Sequence, residues 1–256
     1  MKKFLLVFAI LLFANLLIAQ GSAGTGSKYE YRSLIDMPSA GILEKGFVGV
    51  SMDVMPHGVL ISKIEVGVFT NFCFGISYGA GNLIGSGDPE WYEWPGINAR
   101  LRLMDETEGI PALTIGFDSQ GKGVYNDGLK RYEIKSPGAF IVASKNFNLL
   151  GYLSVHGGVN YSFEKDDEDK DANIWLGIEK TLGSKVSLLA EYNFGINDNA
   201  VKSFSDGRGY LNMGIRWVVG DGFTVGMDLR NLVDNNKFTS KVADRALYVE
   251  YIRSIF

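Results

Sequence analysis

Between Tyr152 and Glu164 the chain reads YLSVHGGVNYSFE, and its side chains sort into two sets by parity. Leu153, Val155, Val159, Tyr161 and Phe163 fall on one face of an extended chain. Ser154, His156, Gly158, Asn160, Ser162 and Glu164 fall on the other. Alternation with period two is the mark of a β-strand whose two faces meet different surroundings. The same rule recurs along the sequence. Val48, Val50, Met52 and Val54 alternate with Gly49, Ser51 and Asp53, and Phe72, Phe74, Ile76 and Tyr78 with Cys73, Gly75, Ser77 and Gly79. Ile174, Leu176 and Ile178 oppose Trp175, Gly177 and Glu179, and Phe223, Val225, Met227 and Leu229 oppose Thr224, Gly226, Asp228 and Arg230. Only GAFIVASKNF and ALYVEYIRSIF are strand-like without sorting cleanly. The pattern predicts about twelve strands, each near the ~10 residues that a tilted strand needs to cross a bilayer.

A soluble sandwich alternates too, so the connections decide. In order they are MPHG, TN, a stretch from Gly81 to Trp94, DETEG, a stretch from Ser119 to Ser136, FNLLG, EKDDEDKDA, GS, NDNAVKSFSDGRG, GDG and NLVDNNKFTSKVADR. After the first, long and short alternate strictly. Short turns on the periplasmic side and long loops outside are the asymmetry of outer-membrane barrels. Closure also satisfies every backbone group in lipid. The fold predicted is all-β, a single antiparallel up-and-down transmembrane barrel. Its apolar face meets lipid, its polar and glycine-rich face meets the lumen, and an even strand number puts both termini in the periplasm.

The N-terminus sets the compartment. Lys2 and Lys3 precede an apolar run from Phe4 to Ile18, which is too short to span as a helix. A signal peptide over 1–19 is expected, then a periplasmic segment over 20–44 and the barrel over 45–256. The implied location is the outer membrane of a Gram-negative-type bacterium, with membrane lipid and the barrel-assembly machinery as partners. Phe256 is the terminal aromatic that many such barrels carry as an assembly signal. Tyr78, Trp91, Trp94, Tyr161, Tyr192, Trp217 and Tyr248 are expected in interfacial girdles. Cys73 is the only cysteine, so no intramolecular disulfide is possible. A net charge of −4 without a basic cluster argues against nucleic acid.

Parity assigns Lys63, Glu65, Arg100, Arg102, Asp118, His156, Glu179, Glu191, Arg216, Asp228 and Arg230 to the lumen, together with Lys145 and Glu250. The signs are balanced, which suits an interior salt-bridge network or a narrow path for a neutral polar solute rather than a one-sided selectivity ring. Pairing of Arg100, Arg102, Arg216 and Arg230 with Glu179, Glu191 and Asp228 is expected, since an unpaired charge in a narrow interior is costly.

Ser154 and His156 share the lumen face, in the reverse of the His-x-Ser order that outer-membrane phospholipases direct at lipid. They are expected to be structural, so no catalytic residue, cofactor or metal is assigned. EKDDEDKD clusters carboxylates without the glycine and spaced ligands of a calcium loop, and is expected to be a solvated outer loop.

The segment SLIDMPSAGILEKGFVGVSM resembles the opening of the YjbH-like outer-membrane proteins, in which a Pro-(Thr/Ser)-Ala element precedes the first strand. PALTIGFDSQGKG followed by SPGAFIVASKNF resembles their most recognisable stretch. That resemblance implies a role in exopolysaccharide production or export, as a narrow pore or export-associated barrel with polysaccharide-export components as partners. It supplies no catalytic residue. The alternative is a structural or interaction barrel with a plugged lumen and no transport activity, and the remote alternative is an outer-membrane hydrolase.

Overall fold

The computed structural model describes residues 30–237 and 243–255. The expected signal peptide over 1–19 and Phe256 lie outside them. Fifteen strands are formed: β1 (Phe47–Met55), β2 (Val59–Phe69), β3 (Phe72–Gly81), β4 (Glu90–Trp91), β5 (Gly96–Met104), β6 (Ala112–Asp118), β7 (Lys122–Asn126), β8 (Arg131–Ile134), β9 (Gly138–Asn148), β10 (Tyr152–Tyr161), β11 (Asn173–Leu182), β12 (Val186–Asn193), β13 (Tyr210–Gly220), β14 (Phe223–Arg230) and β15 (Asp244–Ser254). Twelve of them pair antiparallel in the cyclic order β1-β2-β3-β5-β6-β9-β10-β11-β12-β13-β14-β15. The ring closes through β1 and β15, from Phe47↔Ser254 to Val54↔Leu247. No strand edge of the ring is left open to lipid, as a membrane requires.

Parity carries the fold inside out. Ile64, Ile76, Leu176, Ile178 and Leu247 stand exposed on the outer wall, while Glu65, Ser77, Trp175, Glu179 and Ala246 are buried within. In β10 the outer face is Val155, Val159 and Tyr161, and Ser154, His156 and Asn160 point in. The tight turns cluster at one end. There Gly222 takes φ +75, and an added Cβ would stand 1.9 Å from the carbonyl oxygen of Ile252. Only glycine fits that approach.

Three placements differ from the sequence reading. Tyr248 lies on the inner face, with the Arg216 guanidinium 4.6 Å from its ring, because β15 turns Ala246, Tyr248 and Glu250 inward. Lys145 pairs with outward Val155 and so stands on the outer face. It lies at the short-turn rim, where it donates to Glu106 at 2.7 Å. The acidic loop after β10 is not simply solvated: Asp167 and Asp169 are buried.

That loop belongs to a cap over the long-loop end. Arg131, on the β7–β8 hairpin, bonds Asp167 at 2.5 Å and Asp198 at 2.6 Å, and Lys135 bonds Asp167 at 2.8 Å. Tyr92, Tyr125 and Tyr132 pack edge-to-face above Met55, Val59 and Ile61. Outer loops from four connections are thereby drawn over the mouth.

Candidate functional site

The described part of the segment expected in the periplasm enters the barrel. Residues 30–43 run up from the short-turn end, reverse at Leu34–Met37, and run back down to β1. The reversal is a tight turn: the amide of Leu34 donates to the carbonyl of Met37 at 2.9 Å, and that of Ser39 to Arg32 at 3.1 Å. A bridge between Ser33 and Pro38 holds the two limbs together. The direction follows from the wall. Glu30 meets Arg102, near the end of β5 that leads into a short turn, whereas Asp36 meets Arg230, at the end of β14 that leads into a long loop.

Each charged residue of the hairpin finds a wall partner. Arg32 donates to Glu65 at 2.7 Å and also to Glu250. Glu30 accepts from Arg102, at 2.9 Å for one of the two contacts. Asp36 takes Arg230 in a two-point grip, Nε and Nη2 each at 3.0 Å. A buried guanidinium–carboxylate fork satisfies both charge and geometry.

The backbone is gripped as firmly. Glu191 accepts the successive amides of Ile35, Asp36 and Met37 at 3.1, 3.1 and 2.9 Å. The indole of Trp175 donates to Pro38 at 3.1 Å. Arg100 donates to the carbonyls of Arg32 and Ser39, and Arg216 to that of Leu34 at 3.1 Å. Ala40 is held from both sides: its amide donates to Ser144 at 3.0 Å, and its carbonyl accepts from Thr114 at 2.7 Å. Buried main-chain groups need partners, and here side chains of the wall supply them.

Of the thirteen residues assigned to the lumen, all but Lys145 are on the inner face. Their pairing follows the expectation only in part. Arg216 does bond Asp228, at 2.5 Å. Lys63 bonds Asp118 at 2.7 Å, near the wall's upper half. Arg102 and Arg230, however, turn to the hairpin's carboxylates, Arg100 to its carbonyls and Glu191 to its amides. Glu179 is buried in the same wall. His156 shares a 2.7 Å hydrogen bond with Ser144, while Ser154 donates to Asn146, so the two residues paired by parity have separate partners.

Missed by the sequence reading are Glu30, Arg32 and Asp36, the hairpin's own charges. A signal was available: Leu34, Ile35, Met37, Ile42 and Leu43 give the supposed linker more apolar residues than a solvated tether requires. All five are buried. Met37 and Ala40 pack with Ala112, Ile134, Phe140, Val142, Trp175 and Tyr210, so the hairpin tip meets the loop cap. Among the described residues between them lie two small cavities of about 10 Å³ each, about the room one water needs.

No protein-family model matches the chain, and no curated protein matches it significantly. Solved structures do. A KdgM porin superposes with a TM-score of 0.53 at 10% identity, over 80% of this chain and 98% of that one. A KdgM porin in complex with disordered oligogalacturonate gives 0.50 at 10% identity, over the same shares. The outer-membrane protein Omp33 of Acinetobacter baumannii gives 0.44, also at 10% identity, over 82% of this chain and 98% of that one. The likeness is one of fold, a closed antiparallel barrel.

Proposed function

We propose that the chain is an outer-membrane barrel, exported by its signal peptide and closed at rest by its own N-terminal hairpin. It serves the envelope without catalysis. One observation carries this reading: residues 30–43 fill the lumen and bond to the wall through Arg32–Glu65, Glu30–Arg102 and Asp36–Arg230. A porin open at rest keeps a water-filled path through its interior. Here the interior is packed from the short-turn end by the hairpin and from the long-loop end by the cap. The porin-like fold supports the membrane setting, and a lipid-facing wall of this kind is delivered by barrel-assembly machinery.

The finer reading is service to surface-polysaccharide traffic of the YjbH-like type. The resemblance over Pro111 to Phe147 supports it, and a porin of like fold is described in complex with disordered oligogalacturonate. Polymer passage through this barrel requires the hairpin to leave first. A structural barrel that presents its capped loops is the second reading, favoured by the packed lumen.

Cysteine labelling on intact cells tests setting and orientation together. In a Cys73→Ser background, Glu168→Cys in the long acidic loop should react with an impermeant thiol reagent, and Ser184→Cys in the β11–β12 turn should not. Labelling only of Ser184→Cys would invert the orientation, and recovery of the protein as a soluble species would remove the membrane reading. Loss of the gene should lower surface polysaccharide under the finer reading; unchanged polymer would leave the structural one.

A further inference from the structure

We infer that the hairpin 30–43 is a withdrawable gate, hinged at Glu44–Gly46, rather than a fixed core. The inference rests on the closed-barrel reading and goes beyond it. Its first support is topological. Both described ends of the hairpin, Glu30 against Arg102 and Leu43 before β1, lie at the short-turn end, so residues 30–43 can slide out toward the periplasm through that mouth. The ring would stay intact, because its ladder closes through β1 and β15 with no strand contributed by the hairpin.

The hairpin also keeps its own backbone bonds when it moves. The Leu34–Met37 turn, the Ser33–Pro38 bridge and the bond from Gly41 N to Ser39 Oγ at 3.1 Å are internal to it. Its contacts with the wall are of another kind. The polar ones are ion pairs and side-chain bonds to single backbone groups, which water can replace once the lumen hydrates. The apolar packing of Met37, Ala40, Ile42 and Leu43 on the wall is what withdrawal must give up.

The hinge is built where such a motion needs it. Glu44 and Lys45 are exposed, and Gly46 takes φ +82 as the chain turns out of the lumen into β1. The amide of Gly46 donates to Gly67 at 2.9 Å, which fixes the pivot to the rim of β2. Glycine takes the left-handed region without strain and has the widest range of backbone angles, while the bond from Phe47 N to the Glu44 carbonyl, at 3.1 Å, closes the turn at the pivot.

Position 177 provides the lock for a test. An ideal Cβ on Gly177 would stand 3.5 Å from Cγ of Leu34, within the reach of a disulfide if both residues were cysteine. Leu34→Cys with Gly177→Cys, in the Cys73→Ser background, is reconstituted in planar bilayers and read before and after oxidation. Reduced, the protein should open transiently. Oxidised, its open probability should fall by roughly tenfold or more, as a cross-link removes the unseated conformations, and reductant should restore it. Silence in both states overturns the gate and leaves the closed barrel standing. Steady conductance in both overturns the closed barrel itself. If the paired variant does not assemble, hydrogen exchange on the unmodified protein decides. Exchange of residues 30–43 as one unit, before the strands, supports the gate, and exchange no earlier than the strands overturns it.

Discussion

An added methyl group at Gly177 would stand 2.3 Å from Cδ1 of Leu34, so the wall is glycine there because the hairpin needs the space. A lumen glycine can mean room for solute or room for packing, and at this position it means packing. Gly177→Ala should therefore unseat the hairpin locally, at an overpacking cost of roughly 1–3 kcal/mol. Adding Leu34→Ala should return most of it. The measurement is hydrogen exchange of residues 30–43: faster in the single variant, recovered in the double. Equal exchange in all three proteins would mean that Leu34 does not press on this wall. From sequence, parity was enough to put Gly177, Glu191 and Arg230 inside. It could not supply their partners, because those partners are contributed by a segment with no strand periodicity.

The strands that sorted cleanly in the sequence have lipid on one side and polar groups on the other. β9 did not sort because both of its faces are apolar. Ile141 looks to lipid, whereas Phe140 and Val142 pack on Met37 and Ala40. β15 blurs for the same reason at Ile252, which meets Ile42 and Leu43. An apolar residue on the wrong parity was thus a mark of the hairpin's footprint, readable only once the hairpin is placed. The clean strands permit a sharper test. Ile178 lies midway along β11 and is exposed on the outer face. Ile178→Arg should cost roughly 2–4 kcal/mol, the penalty for a basic residue facing lipid near the midplane. Its heat-modifiable folded form should be depleted on a gel run without boiling. Normal yield would contradict the lipid assignment of that face.

At the scale of the whole molecule, the barrel is closed twice. The hairpin rises from the short-turn end, and the loop cap settles from the other. They meet where Met37 packs with Ile134 and Tyr210. Above that contact, Arg131 ties the β7–β8 hairpin to Asp167 and Asp198 from two further loops. The alternation of long and short connections made barrel and end-to-end asymmetry legible. The cap was hidden, because EKDDEDKD reads as a solvated run until the buried cations Arg131 and Lys135 are placed beside it.

The four tryptophans report directly on whether the hairpin fills the lumen. Trp91, Trp94 and Trp217 are 58%, 71% and 53% exposed, while Trp175 is 0% exposed and donates its indole N–H to Pro38. Tryptophan-selective ¹⁵N NMR of the protein in lipid nanodiscs should show the Trp175 indole N–H protected from water exchange, with a cross-peak to Pro38. An unprotected Trp175 indole without that cross-peak would mean that the hairpin is not seated and that the barrel is not closed.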